Sequence, residues 1–340
     1  MIIRSKAPLR IGLAGGGTDV SPYSDIYGGA ILNASISMYA YANILPLDNG
    51  KIIFRLNDKG EVYEYDASEK LPYDGNVDLL KAIYNKIATL YTHKSLSFEL
   101  STYVDAPPGS GLGTSSTLVV SVLGAFAEWL SLPLGEYDLA YLAYEIERID
   151  LAMAGGKQDQ YAATFGGFNF MEFYNNDKVI INPLRIKDRV MSELANNIVL
   201  FYTQTSRNSS DIIEQQQKNV SGKNFRSIEA MHKLKEQSVM MKEALLKGNL
   251  DQIGEILNMG WQYKKQMADG ISTNLFEELY ETALKAGATG GKISGAGGGG
   301  FIFFYCPGNT RYNVIKALGK FGGSVQRYEF TKQGLESWIS

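Results

Sequence analysis

The residues of this chain that could do chemistry gather around glycine. Pro107, Pro108, Gly109, Ser110, Gly111, Leu112 and Gly113 run into three hydroxyls, Thr114, Ser115 and Ser116, and an apolar stretch from Leu118 to Trp129 follows at once. Glycine lets a ligand approach backbone N–H groups closely, and the first N–H groups of a helix have no internal partner. A glycine-rich turn that opens a helix is therefore an anion site, with phosphate the usual anion. No lysine precedes the hydroxyls, so this is not a P-loop, and the spacing fits a dinucleotide fingerprint poorly. Alone, Gly-x-Gly-x-Gly is often only a tight turn. Two carboxylates stand beside other glycines: Asp19 after Gly15, Gly16, Gly17 and Thr18, and Asp159 after Gly155 and Gly156. Asp19 taken alone is better read as a cap on the segment that follows. Glu145, Glu147 and Asp150 form an acidic edge, a pattern that is usually a solvated face.

These residues need elements to hold them. Residues 96–104 alternate apolar and polar side chains, so the phosphate turn sits between a strand and a helix running from about 115 to 130. Residues 2–13 form a strand that delivers Arg10 and ends in the Asp19 turn. Residues 30–36, 166–173 and 198–202 are further strands, and 51–56 with 61–65 make a hairpin about Asn57–Gly60. Helices are predicted over 76–91, from 137 to about 154, and over 224–246. Two more are marked by Ile253 to Trp261 and by Leu275, Leu279 and Ala283, the latter stopped by Gly287. Residues 155–161 are predicted to be a turn. A glycine-rich stretch, 290–300, leads into a strand ending at Cys306; a helix over 311–321 and a strand over 324–330 close the chain.

Length sets the domain count. A chain of 340 residues exceeds the roughly 250–300 at which a single core stops growing, so two domains are expected, residues 1–185 and 186–340. The formal charge is −3, from 33 basic and 36 acidic residues, which lacks the basic excess of a nucleic-acid binder. Cys306 is the only cysteine, and His93 and His232 lack metal-ligand spacing. No apolar run approaches the ~20 residues of a membrane span and no leader-like segment is evident, so a cytoplasmic protein without membrane contact is expected.

Three glycine-centred stretches, 8–19, 107–116 and 292–300, occur in an order and spacing that resembles the signature motifs of the GHMP kinases. The resemblance spans nearly the whole chain. It implies an α+β fold of two domains: a ribosomal-protein-like N-terminal domain and a ferredoxin-like C-terminal domain, with the active site in the cleft between them. It implies ATP with Mg²⁺ as phosphoryl donor. Residues Pro108 to Ser116 would wrap the ATP phosphates, and the last glycine stretch would pack behind that loop with little ligand contact of its own. Asp159 would be the base or orienting acid for the accepting hydroxyl, with Arg10 as its cationic partner and an offset for γ-phosphoryl charge. Ser115 and Glu147 would hold the metal.

Asp19 aligns with the sugar-binding aspartate of galactokinases. Where those enzymes carry Glu-His, this chain carries Gly16-Gly17, which frees space and removes a carboxylate that would repel a phosphate. Residues 13–19, 155–163 and 165–170 are similar to the branch of the family that acts on D-glycero-D-manno-heptose 7-phosphate. That likeness implies transfer to the anomeric hydroxyl, giving the 1,7-bisphosphate for nucleotide-activated heptose synthesis. Gly16, Gly17, Thr18, Asp19 and Gly156 would line the sugar site, with Arg207, or else Lys157, on the sugar's phosphate. A sugar 1-kinase for an unphosphorylated fucose, arabinose or galactose and a non-catalytic sugar-binding regulator are the alternatives. A homodimer is left open.

Overall fold

The structure, a computed structural model, describes residues 1–205 and 209–340. The first half builds one sheet with helices on it. In chain order it contains β1 (Ile3–Ala14), α1 (Tyr23–Tyr27), β2 (Gly29–Pro46), β3 (Lys51–Leu56), β4 (Glu61–Asp66), α2 (Asp78–Ile87) and β5 (Phe98–Val104). Then come α3 (Thr114–Leu130), α4 (Glu136–Tyr144), α5 (Gln158–Phe165), β6 (Phe168–Phe173) and β7 (Val179–Pro183). The second half contains α6 (Asp188–Asn197), β8 (Ile198–Tyr202), α7 (Ser209–Ser221), α8 (Phe225–Lys247), α9 (Ile253–Lys264) and α10 (Asn274–Lys285). It ends in β9 (Gly290–Ile293), β10 (Phe301–Tyr305), α11 (Arg311–Leu318), β11 (Ser324–Gln326) and β12 (Glu336–Ile339).

The larger sheet has the order β12-β1-β2-β5-β3-β4, and β2 is long enough to pair also with β6, which carries β7. Its neighbours are antiparallel except β3 with β5. The smaller sheet, β11-β8-β10-β9, is antiparallel throughout. The last strand returns to the first: Ile339 pairs with Ile3 and Glu336 with Lys6, whose ammonium lies 2.7 Å from that carboxylate. An isolated bridge joins Phe330 to Ile36, so the expected final strand is regular only over Ser324–Gln326.

α3 is apolar nearly all round, which requires burial on every side. Val119, Val120, Val122, Leu123 and Phe126 are buried against Ile3, Ile44, Phe98 and Leu100 of the sheet and Ile83 of α2. A second cluster joins the two halves, with Leu9, Ile11 and Leu32 packed in one core with Leu200, Leu245, Leu257 and Phe303. Burial of each such side chain stabilises by about 1.5–3 kcal/mol. The two halves are thus held together by an apolar seam, and the cleft opens beside it.

Two elements depart from the sequence expectation near the cleft. The helix begun by α4 continues as a wider π-helical segment, Glu145–Asp150, and stops there rather than near 154. Asp159 lies in the first turn of α5 rather than in an irregular turn.

Candidate active site

A cavity of about 790 Å³ lies between the halves. From the first half, Arg10, Gly16, Gly17, Asp19, Ser115, Glu147 and Asp159 line it. From the second come Gln216, Lys264, Lys292 and Gly295.

β1 carries Arg10 to the cavity floor, where it is 3% exposed. Its guanidinium grips Asp159 in a fork, with Nε on Oδ1 and Nη2 on Oδ2, both at 2.8 Å. The remaining Nη1 donates to the carbonyl of Gly111, in the glycine-rich loop. One side chain therefore fixes both the carboxylate and the loop. Pro108, Gly109, Gly111 and Gly113 line the same cavity, as do Thr114, Ser115 and Ser116 at the start of α3. Among the described residues no side chain caps α3, so its first N–H groups are left for an anion. Ser110 and Leu112 are buried in the body of the loop: Ser110 accepts the N–H of Phe301 and Leu112 accepts that of Arg10.

The third glycine stretch packs behind the loop. Ser294 Oγ donates to Gly111 O at 2.8 Å, and a methyl added at Gly295 would stand 2.8 Å from the Gly111 backbone. Such backbone-to-backbone contact leaves no room for any side chain at this point.

Ser115 Oγ donates to Glu147 Oε1 at 3.1 Å, and Gln160 Nε2 to Glu147 Oε2 at 2.5 Å. Glu147 is fully buried, and its nearest cation is Arg148 at 3.8 Å. A buried carboxylate beside a hydroxyl, both on the cavity wall, is an oxygen donor set of the kind Mg²⁺ takes when substrate phosphates and waters complete its shell.

Asp19 is held by α5. Its Oδ2 accepts the N–H groups of Lys157, at 2.9 Å, and Gln158, at 3.1 Å. It is therefore the cap that α5 lacks in its own sequence, while still facing the cavity. Burial raises its pKa, with the Gln158 N–H and the Lys264 charge opposing and the Asp159 charge adding to the rise. Gly156 has no side chain because Asp19 occupies that space. Thr18 pins the turn instead of lining the cavity: its hydroxyl donates to Gly15 O and accepts from Ala30 N. Lys157 is paired with Asp177 at 2.6 Å and does not serve the main cavity. Arg207 lies outside the described residues.

The sequence reading did not single out four cavity side chains. Arg148 donates to Gly156 O at 3.2 Å. Lys264 of α9 donates to Gly16 O at 3.1 Å, and Lys292 of β9 to Gly12 O at 3.0 Å. Burial lowers both lysines, Lys264 to about 8 and Lys292 to about 7. The amide of Gln216 is the fourth. Lys292 heads the third glycine stretch, which was the only signal available for any of them.

Residues 78–167 match the GHMP kinases N terminal domain and residues 241–324 the GHMP kinases C terminal domain. The chain is 52% identical to the D-glycero-alpha-D-manno-heptose 7-phosphate kinase of Campylobacter jejuni, over 99% of this chain and 98% of that one. It belongs to the GHMP kinases. Among solved structures, the D-glycero-D-manno-heptose 1-phosphate kinase from Bacteriodes thetaiotaomicron is 46% identical with a TM-score of 0.85, covering 99% of each chain. The galactokinase of Lactococcus lactis in complex with galactose shares the fold, with a TM-score of 0.79 at 21% identity over 98% of this chain and 95% of that one. This GHMP kinase thus has the two-domain α+β architecture expected from its three glycine stretches. Among the described residues, no helix is long and apolar enough to cross a membrane.

Proposed function

We propose that this kinase transfers the γ-phosphoryl group of ATP to the anomeric hydroxyl of D-glycero-D-manno-heptose 7-phosphate, giving the 1,7-bisphosphate. The observation that carries the chemistry is the Arg10–Asp159 fork, which opens on the same cavity as the uncapped start of α3. The 52% identity to a relative of that name, along nearly the full chain, supports the substrate.

In this reading the N–H groups of the 107–116 loop and of the first turn of α3 hold the ATP phosphates. Ser115 and Glu147 would hold Mg²⁺, which would supply positive charge against the phosphate oxygens. Asp159 accepts a hydrogen bond from the sugar's anomeric hydroxyl and aims its oxygen at the γ-phosphorus; the proton leaves to that carboxylate as the new P–O bond forms and the bond from the γ-phosphorus to the β–γ bridging oxygen breaks, releasing ADP. Arg10 keeps the carboxylate in place through two bonds, and its positive charge offsets the charge that builds on the transferring group. Phosphoryl transfer asks mainly for such positioning and neutralisation. Asp19 is placed to accept from a second sugar hydroxyl, and Arg207 is a further candidate for the sugar's phosphate. An ATP donor fits the expected cytoplasmic location.

ADP release with Mg·ATP tests this against heptose 7-phosphate, heptose 1-phosphate, mannose 6-phosphate, galactose, fucose, homoserine and mevalonate. The names of the two relatives differ in the position of the phosphate, so both heptose phosphates belong in the panel. Strong preference for heptose 7-phosphate, with a new anomeric phosphate signal in the product's phosphorus spectrum, is the expected result. Preference for an unphosphorylated sugar refutes the substrate and leaves the kinase.

A further inference from the structure

We propose that Lys264, Lys292 and Gln216 form the subsite for the phosphate monoester that the acceptor sugar already carries. The inference rests on the reading of this chain as a kinase of a phosphorylated sugar, and assigns the group that reads the phosphate.

Three observations converge on the turn at Gly16 and Gly17. First, both ammonium groups stand at that turn. A methyl added to Gly16 would lie 3.7 Å from Lys292 Nζ, and one added to Gly17 would lie 3.3 Å from Lys264 Nζ. The space at Gly16 is thus bordered by one ammonium, and the second stands at Gly17 beside Met267, whose Cε would lie 2.5 Å from the added methyl. Second, among the described residues neither ammonium is in an ion pair. Their hydrogen bonds go to the main-chain carbonyls of Gly16 and Gly12. The lysines are 3% and 6% exposed, and a buried cation without a counter-ion is costly. Asp19 is the carboxylate whose charge favours protonated Lys264, while Arg10 acts against both lysines. Third, Gln216 is 2% exposed and lines the cavity, and among the described residues its Nε2 has no hydrogen-bond partner. Its Oε1 would lie 3.4 Å from a methyl on Gly17, which sets the amide beside Lys264.

Two ammonium groups that lack a counter-ion and an amide N–H that lacks an acceptor, among the described residues, make a donor set suited to an anion. A phosphate dianion would satisfy all three: it supplies the missing charge and has acceptors to spare. The same chemistry is offered by the sugar's phosphate and by the γ-phosphate of ATP. The start of α3 and the 107–116 loop already provide for ATP, and the lysines flank the other glycine turn, the one beside Asp19. Lysine suits this task as a point charge whose protonation follows its occupant.

The test is steady-state kinetics of the wild type, Lys264→Met and Gln216→Leu. ATP, heptose 7-phosphate and free heptose are varied in turn. The expected result is a KM for heptose 7-phosphate raised roughly 10- to 100-fold in Lys264→Met and less in Gln216→Leu. The preference for heptose 7-phosphate over free heptose shrinks by the same factor, and the KM for ATP stays at its wild-type value. A KM for ATP that rises as far as that for the sugar phosphate overturns the proposal and gives the lysines to the γ-phosphate. An unchanged preference for the phosphorylated sugar in both variants also overturns it. Should Lys264→Met fail to fold, Gln216→Leu, nearly equal in size, decides alone. A wild type that shows no preference for the phosphorylated sugar refutes the substrate reading instead, before any variant is compared.

Discussion

Asp159→Asn and Arg10→Met, made singly and together, test whether the fork at the cavity floor acts as one device. The asparagine keeps one carbonyl for Arg10 but cannot take a proton, and loss of a positioned base lowers kcat by about 10²–10⁴-fold. The methionine keeps the apolar stem of Arg10 and removes its charge from the transferring group, a loss of about 10²–10³-fold in kcat. Independent losses would multiply in the double variant. They will not multiply here, because each residue works through the other: both oxygens of Asp159 rest on Arg10 at 2.8 Å. The double variant is expected to be no worse than about the worse single one, as for residues that act as a unit. The geometry also separates the two variants. Arg10 donates to Gly111 O and so anchors the phosphate loop, whereas Asp159 does not. Arg10→Met should therefore raise the KM for ATP while Asp159→Asn leaves it unchanged. Stability adds a check. Removing one partner of a buried pair costs about 3–5 kcal/mol, and the partial exposure of Asp159, 21% of its side chain, puts Arg10→Met at the low end of that range. The assay is ADP release at saturating and limiting ATP, with a melting curve for each variant. Multiplicative losses in the double variant, or a KM for ATP unmoved by Arg10→Met, would refute the argument.

Gly156→Ala places a methyl where the Asp19 carboxylate stands, so the cap of α5 is lost and Asp159 shifts with the helix; kcat should fall about 10²-fold, and wild-type turnover would show that the cap does not set Asp159. Glu147→Gln keeps the shape of the side chain and loses its charge, so half-maximal activity should need several-fold more Mg²⁺, read by titrating the metal at saturating ATP; an unchanged requirement would remove Glu147 from the metal site. The lysines predict a pH dependence with a definite sign. Lys264 at about 8, flanked by Asp19 and Arg10, and Lys292 at about 7, flanked by Lys264 and Arg10, both lie below the ordinary 10.5. From about pH 7 to about 10 the unfolded chain holds more protons than the folded one, so the free enzyme should gain stability as pH rises through that window. A bound phosphate favours the protonated lysines, so affinity for the sugar phosphate should fall as pH rises through 8, and binding near that pH should take up protons. Calorimetry in two buffers of different ionisation enthalpy reads the uptake; its absence would show that the lysines do not face the phosphate.

The parts of the site that were legible in the sequence are those in which backbone does the work. The 107–116 loop, the third glycine stretch and the Asp159 turn announce themselves because only glycine permits such close approach, as Gly111 against Gly295 shows. Arg10, Ser115 and Glu147 came through resemblance to a family, and the structure places them on one cavity. What stayed hidden depends on partners far along the chain. α5 was read as a turn because residues 155–161 carry no cap of their own; the cap is Asp19, 138 positions before Lys157. β12 is four residues long, too short for a periodic signal, and becomes a strand through a partner more than 330 positions away. Gly16 and Gly17 could be read as cleared space, but the lysines that border it come from α9 and β9, in the other half of the molecule.

α3 and α5 both start at this cavity, and the protein treats these two starts in opposite ways. α3 has no side-chain cap, while α5 is closed by the carboxylate of Asp19. Had both been open, an incoming phosphate would have had two competing anion sites within one cleft. Closing α5 with a carboxylate does more than satisfy its N–H groups. It also puts a second carboxylate near Asp159, on the side where a sugar hydroxyl must donate. In the proposed reading the phosphates go to two places, the start of α3 with Arg10 and the lysines at the Gly16–Gly17 turn. A substrate with a hydroxyl at one end and a phosphate at the other has only one way to lie between them. On the proposed assignment of these sites the pattern of charge around the cavity orients the sugar, and Asp19→Asn should weaken that pattern. The expected result is lower kcat together with substrate inhibition by the sugar phosphate, as its phosphate begins to compete at the donor end. Simple saturation kinetics in Asp19→Asn, with only KM changed, would mean that shape alone orients the substrate.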